Sequence, residues 1–189
     1  MEETLESGPL GIAGCRVLRL EAHEDARGSF TEIFRRSWAP GAREMVQANL
    51  SRSAPGVLRG LHFHLRQADY WHVVSGTAFV GLVDLRAGSP TFRRSAGFRV
   101  EGDRERVGLY LPPGVAHGFY AETEVVLLYL VDAYFTGEDE HGVAWDSAGI
   151  AWPVGPEGAP VLSERDRSNP PLEEALEAFG GGLDVGGDG

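Results

Sequence analysis

Between residues 16 and 132 the chain sets short apolar and β-branched runs against clusters of Gly, Pro, Asp and Ser. The runs fall at 16–20, 29–34, 46–51, 57–64, 70–75, 77–85, 95–101, 106–111 and 125–132. Strands this short and this regularly spaced predict an all-β sandwich, jelly roll or barrel. Val125-Val126-Leu127-Leu128-Tyr129-Leu130-Val131 is apolar on both faces, the mark of a strand inside a sheet. A helical signal emerges only near the end, at 169–178, where Pro170 and Pro171 precede good helix formers. Residues 1–179 read as one domain, and the glycine-rich 180–189 as a flexible tail.

Composition narrows the choice. A chain of 189 residues with 42% hydrophobic residues can bury a proper core as one unit. No apolar run approaches the roughly 20 residues that span a bilayer, and no membrane partner is expected. Met1-Glu2-Glu3-Thr4-Leu5-Glu6 is acidic, unlike a secretory leader. Cys15 is the one cysteine, which excludes an intramolecular disulfide and predicts a cytoplasmic setting. The net charge of −11 opposes binding to nucleic acid. A small anionic ligand remains possible, because a few local arginines suffice to hold it.

Chemistry concentrates in Gly56-Val57-Leu58-Arg59-Gly60-Leu61-His62-Phe63-His64, followed by Gln67, Asp69 and Gly76. Two histidines two apart on a strand share one face. Imidazole serves both proton transfer near neutral pH and metal ligation. The segment therefore offers a general base or half of a metal site.

An ordered set of segments resembles one family, the dTDP-4-dehydrorhamnose 3,5-epimerases, deoxysugar epimerases on a cupin-type jelly roll. The set comprises Arg27-Gly28-Ser29-Phe30-Thr31-Glu32, Gln47-Ala48-Asn49-Leu50-Ser51, Gly56 to His62, Val83-Asp84-Leu85-Arg86 with Ser89-Pro90-Thr91-Phe92, and Leu111-Pro112-Pro113-Gly114-Val115-Ala116-His117-Gly118-Phe119. It continues through Trp145-Asp146 and Ile150-Ala151-Trp152-Pro153 to Leu162-Ser163-Glu164-Arg165-Asp166. The resemblance covers residues 16 to 170. It implies a cupin double-stranded β-helix with a short C-terminal helix, and an isomerase that inverts a dTDP-linked 4-keto-6-deoxyhexose at C3, C5 or both. It implies His62 as base, Asp166 as the carboxylate orienting it and Tyr129 as acid. Arg27, Phe30, Glu32, Gln47, Asn49, Arg59 and His117 would bind the substrate. It further implies a homodimer with exchanged N-terminal strands and no cofactor. Alternation along a strand, however, puts Arg59 on the face opposite His62. Either a bulge near Gly60 corrects this, or Arg59 serves a site formed with another subunit.

The departures from the family are informative. His64 stands where the family has Gln, Asp69 where it has a lysine thought to stabilise the enolate, and Phe135 where a second Tyr is common. The general metal-cupin spacing is met by Gly56, His62, His64, Asp69 and Gly76, and its second half by Pro112, Gly114 and His117, although Arg106 and Ala121 replace two of its positions. A metal on His62, His64, Asp69 and His117 would suit Zn, Fe, Ni, Co or Mn and would compete with His62 acting as a free base. A non-catalytic sugar-nucleotide binding relative is the third reading. His72 lies out of phase with Asp69, whereas Trp71 is in phase and can line a pocket. His23 and His141 sit in polar, turn-like stretches.

Overall fold

The computed structural model describes residues 10–38, 43–155 and 158–185. Among these residues twelve strands run in chain order: β1 (Arg16–Arg19), β2 (Ala22–Asp25), β3 (Gly28–Thr31), β4 (Gln47–Ser53), β5 (Leu58–Phe63), β6 (Asp69–Ser75), β7 (Thr77–Asp84), β8 (Ser95–Glu101), β9 (Val107–Leu111), β10 (Val115–Ala121), β11 (Val125–Val131) and β12 (His141–Gly142). Two short helices follow, α1 (Glu164–Arg167) and α2 (Leu172–Glu177). One antiparallel sheet has the order β1-β9-β6-β11-β4 and the other β12-β5-β10-β7-β8, while β2 and β3 form a hairpin of their own. This is a jelly roll, one of the three architectures the strand spacing allows and the one the family resemblance implies.

The two large sheets pack face to face. Trp71, Val73, Leu109, Leu111, Val125 and Leu127 from the first sheet meet Ala78, Val80, Leu82, Val100, Val115 and Phe119 from the second. The outer face of the second sheet is covered in turn. Leu61, Phe63, Val83 and Ala116 pack against Leu172, Ala175 and Leu176 of α2. The outer face of the first sheet is closed by Tyr70 and Tyr110 under Phe34, Trp38 and Met45. Both faces of β11 are therefore in contact with protein, and the strand is paired on both sides, with β4 and β6.

Besides the polar β2, which pairs only with β3, three elements escape the sequence pattern. β10 holds Ala116, His117 and Gly118, weak strand formers, yet it lies between β5 and β7, where ladder hydrogen bonds on both sides override propensity. The two-residue β12 leaves no period to read. α1 starts where the Ser163 hydroxyl accepts from the Asp166 N–H at 3.0 Å, a cap that needs only one side chain. The C-terminal segment corrects the expected flexible tail. Leu183 is buried, its N–H donates to the Leu85 carbonyl at 2.8 Å, and its own carbonyl accepts from the Ala87 N–H at 3.0 Å. One apolar side chain and two backbone hydrogen bonds outweigh the glycine content. Residues 186–189 of that expectation lie outside the described residues.

Asp84 ends β7 with its carboxylate fully buried. It accepts from Arg86 Nε at 2.8 Å, Ser89 Oγ at 2.5 Å and Thr91 Oγ1 at 2.6 Å. Burial alone would raise its pKa, but these donors bring it below the usual carboxylate value. Such a group stabilises the fold above the unfolded-state pKa of about 3.9 and loses that contribution as pH falls through the lower folded value. Asp84→Asn should cost about 3–5 kcal/mol at neutral pH. The gap in Tm between variant and wild type should then shrink below about pH 4. A gap that stays constant down to pH 2 would contradict this account.

Candidate active site

The site is built on β5. Leu61 and Phe63 point to the outer core, so alternation turns His62 and His64 into a cleft between the sheets. Arg59 lines the same cleft. The face switches at Gly60, whose φ of 118° is closed to most side chains. Across from it, the register of β10 against β5 jumps between His117 and Phe119. A Cβ on Gly60 would lie 2.8 Å from both Gly118 Cα and the His117 oxygen, and one on Gly118 would lie 2.5 Å from the Arg59 oxygen. Two glycines thus let the strands approach closely and bring Arg59 and His62 to one face. Of the two ways out of the alternation problem, the irregular strand is the one realised.

His62 Nε2 donates to Asp166 Oδ1 at 2.6 Å. The other oxygen, Oδ2, accepts from the Gly60 N–H at 3.3 Å. α1 therefore fixes the carboxylate, and the carboxylate fixes the imidazole with Nδ1 as its remaining lone pair. Asp166 is buried, which would raise its pKa, but the His62 and Gly60 contacts bring it below the usual range. It stays ionised beside the ring.

The cleft encloses about 450 Å³. Tyr129 of β11 and Gln47 and Asn49 of β4 line it together with His62, His117 and Arg59. Burial raises the Tyr129 pKa, Asp69 and Glu140 raise it further, and Arg59 partly offsets them, so the phenol keeps its proton. Arg59 donates from Nε to Ser53 Oγ at 2.9 Å, and Gln47 Nε2 donates to Asn49 Oδ1 at 2.9 Å. Arg165, ion-paired with Glu140, adds a second cation to the lining. The sequence carried a cue to Arg165, which directly precedes Asp166, whereas Glu140 had none. Phe135 also lines the cleft, at 65% exposure. Trp71 does so as its phase predicts, while His72 donates from Nδ1 to the Val107 carbonyl at 2.9 Å, away from the cleft. His141 stacks on Phe63, a structural place.

Three expected binding residues are not brought to this cleft. Arg27 is paired with Asp25, Glu32 with Arg35, and Phe30 is 68% exposed. Arg27 and Phe30 belong to the β2–β3 hairpin, which pairs with neither large sheet.

The four-residue metal set also needs correction. His64, Asp69 and His117, all buried, place one ligand atom each within 4.8 Å of one another, the one such group among the described residues. His62 is not in it, because its Nε2 is committed to Asp166. The candidate base and this cluster therefore occupy separate side chains. Burial pushes the His117 pKa down to about 4, against the attraction of Asp69, so this imidazole is neutral.

Comparison with known proteins agrees with this geometry. The family described as dTDP-4-dehydrorhamnose 3,5-epimerase matches residues 9–174. The chain belongs to this family. It is 39% identical over 176 residues to the dTDP-4-dehydrorhamnose 3,5-epimerase of Streptomyces griseus, covering 88% of this chain and 86% of the relative. The solved rmlC epimerase of Mycobacterium tuberculosis superposes with a TM-score of 0.85 at 33% identity, covering 95% of this chain and 94% of that one. ChmJ, a 3'-monoepimerase from Streptomyces bikiniensis solved with dTDP-quinovose, gives a TM-score of 0.81 at 32% identity over 93% and 91% of the two chains. Membership of this epimerase family makes the chain an isomerase on a cupin fold.

Gly60→Ala tests the strand geometry. The left-handed φ and the two 2.8 Å approaches should cost about 1–3 kcal/mol of stability. Activity should fall further than stability, because Arg59 and His62 would separate. Gly56, also at positive φ but with nothing within 4 Å of an added Cβ, is the control. Gly56→Ala should lose stability while keeping its activity once folded. Full activity in Gly60→Ala would contradict the face switch.

Proposed function

We propose that His62 removes the proton α to the ketone of a dTDP-linked 4-keto-6-deoxyhexose and that Tyr129 returns one to the opposite face. The family acts on this substrate class at C3, C5 or both. The observation that carries the residue roles is the 2.6 Å contact of His62 Nε2 with Asp166, which leaves Nδ1 free to accept a proton. As Nδ1 takes the proton, the C–H electron pair moves toward the carbonyl oxygen and forms an enolate. The Tyr129 phenol protonates that carbon and recovers its own proton from water, and His62 gives up its proton to complete the cycle. Arg59 and Arg165 hold the diphosphate, for which guanidinium forks are suited, and Gln47 and Asn49 meet the nucleoside.

The same proposal includes a homodimer. Phe30 on the hairpin and Leu50 on edge strand β4, 68% and 70% exposed, support a second copy covering them. Arg27, Phe30 and Glu32 would then serve the partner's cleft. Light scattering should return twice the 20.4 kDa chain mass, and a monomer at micromolar concentration would remove this part. No helix among the described residues is long and apolar enough to cross a membrane. A cytoplasmic location is proposed with the rest, supported by the lone buried Cys15, whose thiol burial pushes up to about 12.

Proton NMR in deuterated water on a dTDP-4-keto-6-deoxyhexose separates the roles. His62→Ala should slow deuterium entry by at least ~100-fold. Tyr129→Phe should still admit deuterium at the α-carbon but return it to the same face, giving exchange without inversion. Normal inversion in Tyr129→Phe, or normal exchange in His62→Ala, would refute the assignment concerned. Arg59→Ala should weaken dTDP binding more than ~10-fold, as the loss of a charge-assisted hydrogen bond of about 1.5–3 kcal/mol requires. Unchanged calorimetric affinity would count against the diphosphate site.

A further inference from the structure

We propose that His64, Asp69 and His117 bind one divalent transition-metal ion of the zinc, cobalt, nickel and iron group in the wall of the cleft. His64 Nε2 lies 3.9 Å from Asp69 Oδ1, and His117 Nε2 lies 3.7 Å from Asp69 Oδ2. Both distances exceed the roughly 2.7–3.2 Å of an N–H···O hydrogen bond. They suit donors sharing an ion at about 2.0–2.2 Å from each, which sit about 3–4 Å apart. All three side chains are buried, and two histidines with one carboxylate are a known ligand set that leaves open positions on an ion.

The contacts around the cluster orient it. His64 Nδ1 donates to the Asp139 carbonyl at 2.5 Å and His117 Nδ1 to the Val115 carbonyl at 2.9 Å. Each ring therefore presents an Nε2 lone pair toward Asp69. The Trp71 indole N–H donates to Asp69 Oδ2 at 3.2 Å, and Asp139 is itself held by the Leu65 and Arg66 N–H groups at 2.8 and 3.0 Å. Carbonyls on the far nitrogen of a histidine, and donors on a carboxylate, are the supports that fix metal ligands. Gln67 Nε2 lies 3.2 Å from His64 Nε2 and 2.9 Å from Asp69 Oδ1. Turned end for end, its amide brings Oε1 to the same point as a further oxygen donor.

His64 and Asp69 are also the two positions where the family resemblance expects Gln and Lys. Neither change alone makes a site, whereas together with His117 they make one. On the epimerase reading, on which this consequence rests, the ion supplies a Lewis acid for the ketone oxygen. Asp69 alone would repel the enolate. Because His62 lies outside the cluster, the base stays free.

The test is titration of chelator-treated protein with Co²⁺, followed by its visible d–d absorption and by elemental analysis after desalting. Wild type should bind one equivalent per chain, displaced by Zn²⁺. Affinity should fall more than ~100-fold in Asp69→Asn and His64→Gln, beyond what loss of an outer contact costs, and should be unchanged in His62→Ala. Should Asp69→Asn fail to fold, His64→Gln, which installs the family's own residue, carries the test. No stoichiometric metal in wild type, with Gln67 only bridging His64 and Asp69 by hydrogen bonds, would overturn the proposal, as would full affinity in His64→Gln. Cobalt binding without deuterium exchange would keep this site and remove the epimerase reading. Exchange without metal would do the reverse.

Discussion

The approach of β5 to β10 at Gly60 and Gly118 is the constraint from which the site follows. A strand of strict alternation can send Arg59 or His62 into the cleft, but not both, while Leu61 and Phe63 stay in the outer core. The left-handed Gly60 and the register jump opposite it remove that conflict. The same turn of backbone presents the Gly60 N–H to Asp166 Oδ2, so the carboxylate that orients His62 is located by the residue that re-aims the strand. Packing, hydrogen bonding and placement of the candidate base thus rest on one side-chain-free contact.

The electrostatics of the cleft run against those of the whole chain. With a net charge of −11, the protein repels an anion at long range, yet Arg59 and Arg165 line the cavity. Arg59 hydrogen-bonds neutral acceptors, Ser53 Oγ and the Arg52 carbonyl, which leaves its charge for a ligand. Deeper in the cleft the balance reverses at Asp69. A carboxylate there raises the Tyr129 pKa and disfavours developing negative charge on a substrate oxygen. An ion on His64, Asp69 and His117, as proposed above, would offset both penalties.

Much of this was legible in the sequence because period-2 strands and glycine-bounded turns are local signals. The unreadable parts are those decided by distant partners. β10 was hidden because its small residues are selected by neighbours on both sides. The close packing at Gly118 is a property of Arg59 and Gly60, some sixty residues away. The ordered 180–185 segment depends on Leu85, while α1, capped locally by Ser163, is too short at four residues to show a period. The His-x-His spacing correctly put His62 and His64 on one face, but could not show that Asp166, about a hundred residues later, claims the first and leaves only the second for the cluster with Asp69 and His117. Arg27, Phe30 and Glu32 matched a motif whose position relative to the cleft no single-chain pattern encodes.

The proposed proton transfer depends on His62 being held by Asp166 through Nε2, with Nδ1 available. Long-range ¹H–¹⁵N NMR correlation on histidine-labelled protein at neutral pH reads this directly. The predicted result is a protonated Nε2 and an unprotonated Nδ1 for His62, with that tautomer preference lost in Asp166→Asn. A His62 protonated on Nδ1 alone, or a tautomer unchanged by Asp166→Asn, would contradict it.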